Sequence, residues 1–268
     1  MSIQQEKFKA IADKIREKTG STDKIIPNEF VDKIDDVYES GKKSEYDAFW
    51  DEFQQNGLRE KYHYAFAGFF PKVFNPKYDI KPISANNMFN NFNNLGVSRI
   101  DPNKDYVDLV ELLEKANVTL DFSNCTDFQN WIMWANISRL GIIDCKSLKG
   151  SLNCYYAHQL LTIDKLIVYE GNKTTFNWQG CTKLMNIIID GVIETTFDIR
   201  YTTVLTHDSL MSIINALSTT TSGLTITFSK QAVNNAFGIN VDDPSTYPEG
   251  SEFYNLRNSK SNWTFNYA

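Results

Sequence analysis

The fold is decided by residues 178–189, which read WQGCTKLMNIII. Apolar residues stand at fixed offsets around Leu184 in this stretch. Trp178 comes six residues before it, Cys181 three before, and Ile187 three after. Working outward along the chain, the same arrangement recurs around anchors that lie 23, 24 and 21 residues apart: Ile137, Leu160, Leu184 and Leu205.

The recurrence produces three columns of residues around the anchors. The residues six before the anchors are Trp131, Cys154, Trp178 and Ile199. Those three before are Trp134, Ala157, Cys181 and Thr202, and those three after the first three anchors are Leu140, Ile163 and Ile187. A period in the low twenties with fixed apolar offsets is typical of a solenoid, in which each unit buries its apolar face against its neighbours. We therefore expect the columns to lie inward and function to reside in a binding surface.

Further elements follow from local patterns. Short apolar runs predict parallel strands at Val118–Leu120, Gly141–Ile143, Leu166–Val168 and Ile187–Ile189. A helix is predicted over Val107–Lys115. Beyond Leu205 the repeat stops. The sequence then predicts a helix that carries Leu210 to Leu217, with Asp208 as its N-terminal cap, and a strand at Leu224–Phe228. It further predicts a helix Gln231–Phe237 that ends at Gly238, a helix near Glu252–Asn258 and a strand Trp263–Tyr267.

The first 57 residues predict three short amphipathic helices. Helices of this size are marginally stable alone, so they need either the rest of the chain or copies of themselves as a partner. We expect this segment to anchor or oligomerise the protein, with a homotrimer as one form. The candidate oligomerisation residues are Phe8, Ile11, Ile15, Phe30 and Ile34.

These patterns together predict an α+β protein, with short N-terminal helices followed by an α/β solenoid that carries its own caps. The helical segment is residues 1–57, and the solenoid is residues 58–268. Within the solenoid, residues 58–100 are the N-terminal cap, 101–205 the repeats and 206–268 the C-terminal cap. An end cap is needed because an uncapped solenoid exposes its core.

Composition excludes several function classes. The 268 residues carry a formal charge of −6, with a pI near 5.2, which argues against nucleic acid as a partner. No apolar stretch has the length of a signal peptide or a membrane span. We therefore expect a protein that is made in a cytoplasm, that stays there or leaves by lysis or a dedicated route, and that is not inserted in a membrane. Four scattered cysteines are expected to be buried packing residues: Cys125, Cys145, Cys154 and Cys181.

Catalytic and metal-binding patterns are weak. The histidines, His63, His158 and His207, have no orienting partner that can be named from the sequence. The segment Asp101–Asp105 begins like a calcium loop, but Tyr106 stands where glycine is required. A polysaccharide depolymerase would need paired carboxylates, and no pair occurs at matched repeat offsets. We expect no enzyme, no metal and no cofactor.

Tyrosines at offsets that vary between repeats, together with nearby amide residues, form the candidate binding site. If exposed, they make a stripe of rings and amides such as sugar-binding or protein-binding faces use. The alternative is half-burial for packing alone. The candidate ligand-binding residues are Tyr155, Tyr156, Asn153, Asn177, Gln179 and Tyr201.

Two segments resemble known families. The pattern aromatic-x-x-Cys-x-x-Leu-x-x-Ile-x-Ile within residues 178–189 resembles the leucine-rich repeats of bacterial surface antigens (BspA-like). In the preceding repeat, Ala157 replaces the cysteine and Lys165 the last apolar residue. The opening segment Ile11–Gly20, followed by Ile25-Ile26-Pro27, is similar to the N-terminal segments of structural proteins from tailed phages and prophages of Gram-positive and gut bacteria.

The resemblance implies a non-enzymatic bacteriophage protein of the virion or tail. Its partners would be other virion proteins or copies of itself, and its function would be adhesion to a glycan or protein of the host surface. An alternative stays open: a monomeric, prophage-encoded protein that acts inside the cell through binding to a host protein. Oligomeric state and binding to whole cells distinguish the two.

Overall fold

The computed structural model of the chain describes residues 12–17, 76–90, 92, 107–148 and 150–268. The chain forms two compact units, Met1–Asn56 and Gly57–Ala268. In the first unit, residues 12–17 are helical, and Ala12 and Ile15 are buried. The other candidate oligomerisation residues, Phe8, Ile11, Phe30 and Ile34, lie outside the described residues. So do His63, the segment Asp101–Asp105 and most of the predicted cap over 58–100.

Short strands alternate with turns and helices in the second unit. The strands are β1 (Val107–Asp108), β2 (Ile137–Asp144), β3 (Ser151–Asn153), β4 (Thr162–Val168), β5 (Thr175–Asn177), β6 (Asn186–Gly191), β7 (Phe197–Ile199), β8 (Leu224–Phe228) and β9 (Trp263–Tyr267). The helices are α1 (Leu109–Ala116), α2 (His207–Ala216), α3 (Lys230–Phe237) and α4 (Glu252–Asn258), with a 3-10 turn at Pro244–Thr246.

Every pairing between these strands is parallel. The sheets have the orders β1-β2-β4-β6, β3-β5 and β7-β8-β9. Leu140 pairs with Ile163, and Ile163 pairs with Ile187, so neighbours in the sheet are residues one sequence period apart. The mixture of helices and parallel strands confirms the prediction of an α+β protein.

The repeat columns lie inward with one exception. The anchors Ile137, Leu160 and Leu184 are fully buried, and Leu205 is 4% exposed. The columns six before and three after the anchors are buried as well. Trp134 is the exception: it is half-buried and has a positive φ of 60°. Its expected inward position is therefore wrong, because this left-handed backbone takes the indole out of the column.

Helix α2 closes the free edge of the sheet at β6. The hydroxyl of Ser209 accepts a hydrogen bond from the Ile187 amide at 3.0 Å, and that of Ser212 accepts one from the Ile189 amide at 2.8 Å. Serine hydroxyls thus take the place of a further strand, which satisfies edge groups that would otherwise attract another chain. The repeat stops here because a helix occupies the next position.

Several predicted boundaries need correction. Val118–Leu120 is not a strand; Leu120 forms one isolated bridge with Ile80. Val107 and Asp108 belong to β1, and the Asp108 side chain caps α1 by accepting from the Glu111 amide at 3.0 Å. Helix α2 is capped by Thr206 and not by Asp208, because the Thr206 hydroxyl accepts from the Ser209 amide. The three C-terminal predictions at Leu224–Phe228, Glu252–Asn258 and Trp263–Tyr267 are confirmed, as is the Gly238 cap of α3.

Candidate binding surface at the turn edge

A recurring side-chain turn follows the short strands β3, β5 and β7. In each case an Asn or Asp oxygen accepts a hydrogen bond from the amide two residues later, which is an Asx turn. Because these residues occupy equivalent places in the repeat, the chain turns in the same way each time. The pairs are Asn153 with Tyr155 at 3.0 Å, Asn177 with Gln179 at 3.0 Å, and Asp198 with Arg200 at 3.2 Å.

Backbone hydrogen bonds tie successive turns together. The Trp134 amide donates to the Tyr155 carbonyl at 3.1 Å, and the Tyr156 amide donates to the Gln179 carbonyl at 2.8 Å. The side chains that follow each Asx residue therefore lie beside one another. Tyr201 stands three residues after Asp198, the place that Tyr156 takes after Asn153, and therefore follows an equivalent Asx turn. We call this surface the turn edge; its residues are Trp134, Tyr155, Tyr156, Gln179 and Tyr201.

Aromatic rings contact one another along the turn edge. Trp134 and Tyr156 are stacked, with ring centroids 4.5 Å apart and an interplanar angle of 5°. Tyr155 meets Tyr156 edge-on at 4.1 Å, and His158 meets Tyr156 edge-on at 5.0 Å. Aromatic pairs of this kind contribute about 0.5–1.5 kcal/mol beyond their buried area. The rings are thereby held in fixed orientations while all remain partly open to solvent.

Gly180 is required beneath Tyr156. Its φ is +86°, a backbone conformation that residues other than glycine rarely adopt. A Cβ at this position would also lie 3.0 Å from the Cα and from a ring carbon of Tyr156. Tyr156 itself has a positive φ of 57°. The stacking of Trp134 on Tyr156 therefore requires glycine at position 180 in the next turn.

The six candidate ligand-binding residues divide into two groups. Tyr155, Tyr156 and Gln179 are brought together, and Tyr201 is 40% exposed. Asn153 and Asn177 instead use their side-chain oxygens to hold the turns, and the Asn153 amide nitrogen also donates to Asn130. The two asparagines therefore position the turn edge, and the rings present its surface.

Trp134 is a member of the turn edge that the sequence reasoning missed. Its repeat offset placed it in a buried column. The other members of that column are small, namely Ala157, Cys181 and Thr202, and each is buried. A column that holds small residues elsewhere has no room for an indole, and this size mismatch was the signal that could have identified it.

The turn edge carries neutral hydroxyls and little free charge. The hydrogen bond with Tyr156, together with lesser effects, raises the pKa of Tyr155, so its phenol stays protonated at neutral pH. Arg200 is engaged by Asp198, with its guanidinium 2.7 Å from the carboxylate, and this pairing raises the pKa of Arg200. The surface therefore offers ring faces, phenols and amides for binding.

The four cysteines are buried, and burial raises the pKa of Cys125, Cys145 and Cys181 to about 12, which keeps these thiols unreactive. Within the described ranges, no group of three His, Cys, Asp or Glu side chains is placed to hold a metal ion. The described helices include none that is long and apolar enough to cross a membrane.

His207 lies in a different setting, at the start of α2. Its Nε2 is 3.0 Å from a Glu252 carboxylate oxygen, and its ring meets Phe237 edge-on at 4.9 Å. The hydrogen bond with Glu252 raises the pKa of His207. The His207–Glu252 pair joins the first residue of α2 to the first residue of α4. Its described partners include no nucleophilic side chain, and we interpret it as a structural contact.

Comparisons with known proteins leave the turn edge as the main guide to function. No protein-family model matches the chain, no curated protein is significantly similar to it, and no solved structure matches its fold.

Proposed function

We propose that this protein is a non-enzymatic binding protein whose turn edge attaches to a polysaccharide of a bacterial host surface. In this proposal the parallel repeats form a leucine-rich-repeat-like solenoid, with residues 58–100 and 206–268 as its caps. The protein would be associated with the virion or tail of a bacteriophage and would act in adhesion. Its helical residues 1–57 would attach it to other virion proteins or to copies of itself.

The observation that carries the proposal is the stacked pair of Trp134 and Tyr156. The two rings are parallel at 4.5 Å and partly open to solvent, whereas the other tryptophan of this repeat, Trp131, is fully buried. Partly exposed stacked rings provide an apolar surface against which a partner can pack. The C–H faces of sugar rings pack on such platforms, and the neighbouring Tyr155 hydroxyl and Gln179 amide suit sugar hydroxyls.

A second candidate function follows from the same surface. Tyrosine and tryptophan are also the residues that dominate protein–protein contacts. A monomeric intracellular interaction protein that binds a host protein would therefore use the turn edge as well. Polysaccharide is favoured over protein because the turn edge is rich in phenol and amide groups, while Arg200, which flanks it, is already paired with Asp198.

The test is co-sedimentation of the full chain with purified bacterial cell walls, before and after removal of their attached polysaccharide. Tyr156→Ala removes one ring of the stack. Tyr169→Ala is the matched control, because Tyr169 is also exposed but lies in the segment after β4, with its hydroxyl 3.3 Å from Asp144. We expect saturable binding that Tyr156→Ala weakens about tenfold and that Tyr169→Ala leaves unchanged.

Two outcomes would contradict the proposal. Binding that survives removal of the polysaccharide would exclude the polysaccharide as the ligand. Absence of wall binding, combined with one host protein retained by the wild type and lost from Tyr156→Ala, would favour the intracellular alternative. Light scattering on the full chain adds an independent check, since a monomer argues against self-assembly through residues 1–57.

A further inference from the structure

Strand β9 forms one edge of the sheet β7-β8-β9. It pairs in parallel with β8 over all five of its residues, from Trp263 to Tyr267, without a bulge. The next residue, Ala268, continues this ladder: its amide donates to the Phe228 carbonyl at 3.0 Å, and its carbonyl accepts from the Lys230 amide at 3.0 Å. Both backbone groups of Ala268 therefore point towards β8.

The backbone groups of alternate residues in β9 point the other way. Because the direction alternates along a strand, the amides and carbonyls of Phe265 and Tyr267 point away from β8. Among the described residues, none forms a hydrogen bond with these groups. The Trp263 carbonyl lies on the same outer edge, whereas the Trp263 amide donates to the Lys260 carbonyl at 2.9 Å. The outer edge of β9 thus presents donors and acceptors that a further strand can use.

This edge carries none of the features that usually protect an exposed strand. Such strands are commonly very short, bulged, covered by another element, or marked by lysine or proline. The sequence of β9, WTFNY, contains no charged residue and no proline. By contrast, the free edge of β6 is closed by the hydroxyls of Ser209 and Ser212. An unprotected edge of this length indicates that β9 pairs with another strand.

We propose that β9 pairs with β9 of a second copy of the chain, antiparallel, about a twofold axis at Phe265. Phe265 has both its amide and its carbonyl on the outer edge, so it exchanges two hydrogen bonds with Phe265 of the copy. In the same register, the Tyr267 amide donates to the Trp263 carbonyl of the copy. This interface is separate from the turn edge and does not depend on the proposed polysaccharide binding.

The side chains of β9 favour a second copy over a different partner. In this register Thr264 lies opposite Asn266 of the copy, so two exposed polar side chains meet on one face of the sheet. On the other face, Trp263 lies opposite Tyr267 and Phe265 lies opposite itself, and such aromatic pairs stabilise antiparallel strands. Since the strand is uncharged, it meets no like charge when it pairs with itself. This self-complementarity is what a twofold interface requires.

Two double variants test the pairing by sedimentation velocity of the full chain over about 1–100 µM. Thr264→Lys combined with Asn266→Lys places like charges opposite each other at two points of the interface. We expect the dissociation constant for self-association to rise at least about tenfold. Thr264→Lys combined with Asn266→Glu is the matched control, because each lysine then lies opposite a glutamate. This control is expected to associate at least as tightly as the wild type.

Single cysteine variants test the register. Thr264 and Asn266 of the two copies are opposite residues that exchange no hydrogen bonds, so their side chains lie especially close. A mixture of the Thr264→Cys and Asn266→Cys proteins should therefore form a disulfide-linked dimer under mild oxidation. In either variant alone the introduced thiols are diagonal to each other, and we expect cross-linking at least about fivefold slower. The native cysteines are buried and do not compete.

The proposal is overturned if the wild type is a monomer over this concentration range. It is equally overturned if a folded Thr264→Lys, Asn266→Lys variant associates as tightly as the wild type, since self-association would then lie elsewhere in the chain. Should that variant not fold, the cysteine mixture decides. Cross-linking in the mixture that is no faster than in the single variants would reject the pairing of β9 with itself.

Discussion

Trp131 and Trp134 are three residues apart in one repeat, yet they belong to different regions of the molecule. Trp131 is fully buried in a column that continues through Cys154, Trp178 and Ile199. Trp134 lies at the turn edge and stacks on Tyr156. The buried columns keep apolar residues because each must pack against the next repeat. The turn edge is held by backbone and Asx hydrogen bonds, so its side chains are free to differ from turn to turn.

This contrast indicates which of the described residues can vary without a loss of stability. A residue in a buried column is constrained by packing density, and its replacement is felt as a loss of stability. At the turn edge, Asn153 and Asn177 fix the backbone, while the residues that follow them vary from tyrosine to glutamine. Binding specificity is therefore expected to reside in Trp134, Tyr155, Tyr156 and Tyr201.

The largest expected effect tests the close stacking of β4 and β6. A Cβ on Gly191 would lie 1.7 Å from the Val168 carbonyl oxygen, and the φ of Gly191 is +112°. We expect Gly191→Ala to lower the free energy of unfolding by at least ~4 kcal/mol or to prevent folding. Gly171→Ala is the control, because Gly171 also has a positive φ but nothing lies within 4 Å of its Cβ position.

Urea unfolding curves of the two glycine variants give the comparison. Gly171→Ala should cost about 1 kcal/mol, which is the backbone strain alone. Equal effects of the two substitutions would mean that the close approach of Gly191 to Val168 is not present in solution.

The next effect connects stability with the turn edge. Gly180→Ala introduces backbone strain and brings a Cβ to 3.0 Å from Tyr156. We expect the free energy of unfolding to fall by about 2 kcal/mol and cell-wall binding to weaken up to about tenfold, since Tyr156 is displaced from Trp134. The ring pair is followed by near-ultraviolet circular dichroism. Unaltered binding by the folded variant would show that the Tyr156 ring position does not matter for the ligand.

A smaller effect is expected when an Asx turn is removed. Asn177→Ala deletes the acceptor for the Gln179 amide and leaves the rings in place. The loss of one such hydrogen bond should cost about 1 kcal/mol in the free energy of unfolding, measured with urea. Asn177→Asp keeps the acceptor oxygen and is expected to restore most of the loss. No rescue by aspartate would argue against the positioning role of this side chain.

The smallest expected effect lies at His207, away from both regions compared above. The hydrogen bond with Glu252 raises the pKa of His207, so the protonated form is favoured in the folded state. Its stabilising contribution is complete below the ordinary histidine pKa of about 6.5 and is lost as the pH rises through the raised value. Solvent screening limits this contribution to the free energy of unfolding to about 1 kcal/mol, because the His207 side chain is 38% exposed.

Glu252→Gln is the reference for this pH dependence. Between pH 6 and pH 8, the urea midpoint of the wild type should fall relative to that of Glu252→Gln. Parallel midpoints across this range would mean that the two side chains do not interact in solution.

The buried columns could be predicted from the sequence because burial imposes a repeated residue type at a repeated spacing. The strand pairing of Leu140, Ile163 and Ile187 follows directly from that period. The C-terminal strands Leu224–Phe228 and Trp263–Tyr267 have local alternation, which is why their bounds were predicted correctly. Residues 107 and 108 were misassigned because a two-residue strand has no periodicity to detect.

The turn edge was only half predictable. Tyr155 and Tyr156 stood out because two neighbouring aromatic residues stand at these offsets in one repeat only. The roles of Asn153 and Asn177 were not visible, since an asparagine that binds a ligand and one that holds a turn look alike in sequence. Trp134 was missed because left-handed backbone at a non-glycine residue depends on contacts with the neighbouring repeat, here the Tyr155 carbonyl.

The most direct test of the contrast between the two regions measures both properties on two variants, Trp134→Ala and Trp178→Phe. The free energy of unfolding is obtained with urea, and the affinity for cell-wall polysaccharide is measured on the same samples. We expect Trp134→Ala to weaken binding about tenfold and to lower the free energy of unfolding by about 1–2 kcal/mol, because two ring contacts are lost. Trp178→Phe is expected to cost about 1–2 kcal/mol and to bind normally. Normal binding by Trp134→Ala would contradict the assignment of the turn edge as the binding surface.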